Sequence, residues 1–201
     1  QTDVDADEEP VIKLPDGTEL RRYELDIIGK QKNVVRRLSP LPMALGRICV
    51  SKDGRMISCI GGNEGLVACY RLEDTNLWRI QQEEGDTCWP VWSADGQHIL
   101  VAGRGSKELR VHQVADGKPV GKAIHPELPV QDVVFSPDGG MLTLACGDPE
   151  HPEEPFELQF WDWNTGVRMG ETKRIKHMIR SIAYHPDGTW LAFLLPKASW
   201  I

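Results

Sequence analysis

The stretch Val130-Gln131-Asp132-Val133-Val134-Phe135-Ser136-Pro137-Asp138-Gly139 leads through Met141 to Cys146 and on to Phe160-Trp161-Asp162. Apolar residues flank a Pro-Asp-Gly turn, so the segment reads as strand, tight turn, strand, loop, strand; proline presets φ and glycine admits the left-handed position. The same turn recurs as Ser51-Lys52-Asp53-Gly54, Ser93-Ala94-Asp95-Gly96 and His185-Pro186-Asp187-Gly188. Its aspartates follow one another at intervals of 42, 43 and 49 residues. Each second strand is expected to begin three residues after its aspartate, at Met56, His98, Met141 and Trp190. A repeat of this length marks a propeller array.

The units can be set out from that centre. Residues 44–82 supply Arg47–Ser51, Met56–Ile60, Leu66–Tyr70 and Leu77–Ile80, whose nearly continuous apolar character predicts cover on both faces. Residues 88–125 repeat the order with Pro90–Ser93, His98–Ala102, Leu109–His112 and Pro119–Ile124, and 130–171 hold the third unit. Residues 178–201 supply only two strands, around Met178–Tyr184 and Trp190–Leu195. Residues 11–40 read as the last two strands of a degenerate unit, around Leu20–Leu25 and Asn33–Leu38. The expected fold is an all-β propeller with about three complete four-stranded blades and half-blades at each end. Two arrangements fit: a fragment of a larger propeller, or a small four-bladed ring in which the half-blades join, since closure removes sheet edges.

Composition narrows the class. The chain has 201 residues, 40% hydrophobic and 26% charged, as a globular domain should. It holds no apolar run of about 18 residues, the length a spanning helix needs. Gln1 to Pro10 is acidic where a secretion signal would be positive, with only Val4 and Ala6 apolar, and reads as a disordered tail or linker. That tail carries five of the seven net negative charges. With no basic face to meet phosphates, no nucleic-acid partner is expected, and no membrane. The cysteines, Cys49, Cys59, Cys69, Cys88 and Cys146, are odd in number and lack C-x-x-C spacing, so they read as buried reduced thiols of a cytoplasmic protein.

In the third unit, His125, Asp132, Cys146 and Phe160-Trp161-Asp162, with Asn164-Thr165-Gly166 after them, resemble a blade of the WD-repeat family. The resemblance implies a structural brace in which His125, Asp132, Cys146 and Trp161 share hydrogen bonds, with Cys146 standing where the family has serine or threonine. Other units depart further: Arg47 and Trp89 take the aspartate position, and Tyr70 and His112 take the tryptophan position. A TolB-like propeller also suits Trp190–Phe193 after Pro186-Asp187-Gly188.

Function is then sought on loops, because the strands are committed to packing. The resemblance implies one docking end, formed by the loops between second and third strands and those entering each inner strand. On it fall Gly61–Gly65, Gly103–Lys107, Glu83–Trp89, Lys173–His177 and the insertion Gly147–Pro155, which accounts for the longest interval. Candidate partner-binding residues are Arg47, Trp89, Arg104, Lys107, Glu150, His151, Glu153, Glu154 and Arg174. Each has a plainer reading: Trp89, near Trp92, as packing between blades, and the acidic, proline-spaced insertion as a solvated loop. Gly103–Lys107 lacks the G-x-x-x-x-G-K-[ST] phosphate cradle, and neither H-E-x-x-H nor G-x-S-x-G occurs. The sequence therefore points to a non-catalytic scaffold for a protein or peptide partner, without cofactor or metal. The alternative is an accessory or gating propeller whose catalytic domain, or further blades, belong to the same parent chain.

Overall fold

In the computed structural model the described residues are 11–13, 19–21, 26–28, 34–37, 45–51, 53–61, 66–73, 77–81 and 88–195. The expected tail at 1–10 and the loop segments 62–65 and 83–87 lie outside them.

Each inner hairpin is organised by one side chain. Ser51, Ser93 and Ser136 donate from Oγ to Asp53, Asp95 and Asp138 at 2.6, 2.5 and 2.5 Å. The same oxygens accept the backbone N–H of Met56, His98 and Met141 at 3.0, 2.9 and 3.0 Å. Gly54, Gly96 and Gly139 close the turns at φ of 71°, 69° and 76°, where a side chain would be strained. In the fourth turn His185 replaces the serine, its Nδ1 lying 2.6 Å from Asp187 Oδ1, and the Thr189 hydroxyl donates to the same carboxylate.

These hairpins build a succession of antiparallel sheets. The first contains β1 (Val11–Lys13), β2 (Glu19–Arg21), β3 (Asp26–Ile28) and β4 (Val34–Arg37), in chain order. It corrects the expectation of two strands: short strands with imperfect alternation conceal two more pairings in the sequence. The second sheet contains β5 (Leu45–Val50), β6 (Met56–Gly61), β7 (Leu66–Arg71) and β8 (Leu77–Gln81). The third holds β9 (Cys88–Trp92), β10 (His98–Gly103), β11 (Leu109–Gln113) and β12 (Pro119–Ile124). The fourth has β13 (Val130–Phe135), β14 (Met141–Cys146), β15 (Phe156–Asp162) and β16 (Val167–Ile175). A last pair, β17 (Ser181–Tyr184) and β18 (Leu191–Leu194), starts its second strand one residue later than expected.

The core lies between consecutive sheets. Met56, Val67 and Cys69 pack against Ile99, Val101 and Val114 across the joint between the second and third sheets. Leu100, Leu109 and Val111 meet Val133, Phe135, Leu142 and Leu144 across the next. Ala145, Phe156 and Leu158 meet Ile179 and Ile182 across the last. Hence β10 and β14 are buried almost end to end, as their apolar runs require.

Polar side chains cross the same joints at a fixed register. Trp92 Nε1 donates to Ser58 Oγ at 3.2 Å, and the hydroxyls of Thr143 and Tyr184 meet at 2.7 Å. At the joint between them the equivalent residues, Leu100 and Phe135, are both apolar and share one cluster. The described residues thus form an all-β, propeller-like fan without helix.

Candidate functional site

Two loops between second and third strands converge on the entry to β13. Gly105 N donates to Val130 O at 3.1 Å, and Gly147 N donates to Pro129 O at 2.9 Å. Gln131, buried beside them, donates from Nε2 to Gly147 O at 2.9 Å. Segments 103–108, 125–129 and 147–155 therefore share one end of the fan. Residues 173–175 join it, because Ile175 pairs with Phe156, the first strand residue after the insertion.

The insertion is folded at its base and open at its tip. Asp148 Oδ1 accepts the Glu150 amide at 2.9 Å, Asp148 O accepts that of His151 at 3.2 Å, and His151 O accepts that of Glu154 at 3.0 Å. Two successive turns result, with all of Pro149–Pro155 exposed. A Cβ on Gly147 would lie 2.3 Å from the Phe156 ring, so glycine alone fits where the chain leaves β14. His151 Nδ1 lies 3.3 Å from Glu153 Oε1. That contact, with Asp148 and Glu154 nearby, raises the His151 pKa above its ordinary value. Glu153 is held low by its own backbone N–H and by His151.

Arg104 and Lys107 are exposed on the neighbouring loop, without an ion-pair partner among the described residues. Arg174 reaches Glu157 at 3.6 Å. Glu150, His151, Glu153, Glu154, Arg104, Lys107 and Arg174 are thus gathered at one end. Trp89 is half-buried and packs against the clusters between the second and third sheets and between the third and fourth. Arg47 sits in β5 opposite Ile60, and its side chain lies outside the described residues.

The brace expected of His125, Asp132, Cys146 and Trp161 does not form as a unit. His125 is exposed and lies 3.9 Å from Glu108. Asp132 accepts the amides of Val133 at 2.9 Å and of Ile182, in the next sheet, at 2.8 Å. Trp161 Nε1 donates to Gln159 Oε1 at 3.2 Å, and Gln159 Nε2 donates to Glu157. Burial, with Glu157 nearby, pushes the Cys146 thiol up to about 12. The reason is local: a thiol is a weak partner where a hydroxyl would hold the set together, so each other member takes a nearer one. Sequence reasoning missed Gln131 and Gln159, buried amides whose place in apolar strands was the available signal.

Among the described residues no group of three or more His, Cys, Asp or Glu is placed to hold a metal ion. Cys146 is a free thiol.

No family model matches the sequence, and no curated protein does. Among solved structures, Kuenenia stuttgartiensis hydrazine synthase is similar over 97% of this chain, at 18% identity and a TM-score of 0.69. This chain spans 59% of that one's length. At such identity the likeness is one of fold, and it agrees with the fan of four-stranded antiparallel sheets.

Proposed function

We propose that this chain is a non-catalytic interaction scaffold, a propeller of WD-repeat type that binds a protein or peptide partner through its loop-rich end. Its sheets are the blades, and its medium is the reducing cytoplasm. One observation carries the reading: the Asp148–Pro155 insertion is anchored at its base by Gln131 and Gly147, yet presents every side chain from Pro149 to Pro155 to solvent. An ordered, exposed loop costs little entropy to dock, and rim charges of this kind choose partners and speed encounter. Acidic Glu150, Glu153 and Glu154 beside basic Arg104 and Lys107 fit a partner segment of mixed charge.

Charge reversal at Glu150, Glu153 and Glu154 together should leave the melting temperature unchanged while depleting proteins captured on the immobilised chain. Identical captured sets from wild type and variant, compared by mass spectrometry, would remove the insertion from the contact.

A further inference from the structure

The repeat allows the joints to be compared position by position. The first residue of each second strand pairs with the last of each third strand: Met56 with Arg71, His98 with Gln113, Met141 with Asp162. Leu72, Val114 and Trp163 follow these and are equivalent; the Leu72 amide donates to Arg55 O, and the Val114 amide to Gln97 O, in matching fashion.

In the fourth sheet Trp163 plugs the joint with the third. Its ring centroid lies 4.9 Å from that of His98 and 6.4 Å from that of Phe135. Its Nε1 donates to Gly139 O at 2.7 Å. One joint earlier the plug is Val114, packed on Met56, the counterpart of His98. There a cleft of about 260 Å³ opens between the second and third sheets. It is lined by Met56 and Val114, by Arg55 and Arg71, and by Gly96, the counterpart of Gly139. Arg71 Nη2 donates across the joint to Ala115 O at 3.0 Å, and Arg55 Nε lies 3.8 Å from Glu73.

We propose that this cleft is a slot for one aromatic side chain of a peptide partner, tryptophan foremost, entering the joint as Trp163 enters the next. The turn end of the fan, opposite the loop-rich end, thereby gains a binding site of its own. The indole N–H is received by the Gly96 carbonyl, as Gly139 receives that of Trp163. Its face rests on the Met56 thioether, a favourable sulfur–aromatic contact. The guanidinium groups of Arg55 and Arg71 supply cation–π contacts at the walls. Glu73 and Asp53 balance their charge, so a simple anion is not the selected guest. A buried aromatic anchor in a fitted pocket is the kind of contact that dominates binding energy.

The test is a titration of the whole chain, labelled with ¹³C at its methionine methyl groups, with N-acetyl-tryptophanamide and, separately, N-acetyl-leucinamide. The Met56 signal is assigned through Met56→Leu. A saturable shift of that signal with the tryptophan amide alone is expected. Val114→Trp should fill the slot from within, raise the melting temperature and lose the saturable response. No saturable shift in the wild type, an equal response to the leucine amide, or binding retained by folded Val114→Trp would each overturn the proposal. Where Val114→Trp does not fold, the two wild-type titrations decide.

Discussion

His112 stands on β11 with its Nδ1 buried and without a hydrogen-bond partner among the described residues. Burial lowers its pKa below the ordinary value; the Arg110 backbone opposes this and the Arg110 charge adds to it. The unfolded chain, titrating near 6.5, then binds more protons than the folded one just below that pH. Stability from the neutral ring is complete above about pH 6.5 and is lost as pH falls toward the lowered value. The melting temperature should drop between pH 7 and pH 5, and His112→Phe should flatten that slope; equal slopes would refute the assignment. The difference between the two proteins is the informative quantity, because His151, with its pKa raised, contributes with the opposite sign. Cys146, at about 12, should resist iodoacetamide at pH 8 in the folded chain and react on unfolding, as peptide mapping would show. The buried thiol was legible from an apolar strand pattern. The orphaned nitrogen of His112 was not, since its burial depends on how the sheets pack and not on its strand alone.

The hairpin is the element that the sequence announces, because its bonds close within six residues: Ser93 to Asp95, and Ser93 with His98. Ser93→Ala removes the hydroxyl that donates to Asp95 and leaves the half-buried His98 amide without its acceptor. A loss of about 1–2 kcal/mol is expected from denaturant unfolding. Ser51→Ala should cost a similar amount, the same bonds being made there; an unaffected midpoint in either variant would show that the turn glycines hold the hairpin alone. Long-range elements were less legible. The resemblance placed a brace on Asp132, but its carboxylate bonds Ile182, 50 residues away, in the next sheet. Half of the first sheet escaped for a related reason: strands of three and four residues are too short to display a period, and only their pairing reveals all four.

Across the whole molecule, the described clusters each join two consecutive sheets, so stability should be graded along the array rather than uniform. The third sheet is covered by clusters on both faces. The β17–β18 pair has one cluster, while Trp190, Phe193 and Leu194 are exposed at 56%, 40% and 60%. Its attachment rests on apolar contacts of Ile179 and Ile182, the Asp132–Ile182 bond, and the Thr143–Tyr184 hydroxyl pair. Removing one hydroxyl leaves the buried Thr143 Oγ1 without its cross-joint partner, at a cost of about 1–3 kcal/mol. Native-state hydrogen exchange should therefore find β17 and β18 opening first and β10 and β14 last. Tyr184→Phe should speed exchange in β17–β18 while leaving β9–β12 unchanged, because the third sheet holds its own joints through the Trp92–Ser58 bond and through Leu100 and Phe135. Equal acceleration in both regions would mean that the described sheets open as one cooperative body, and that the cross-joint pairs set no local boundary.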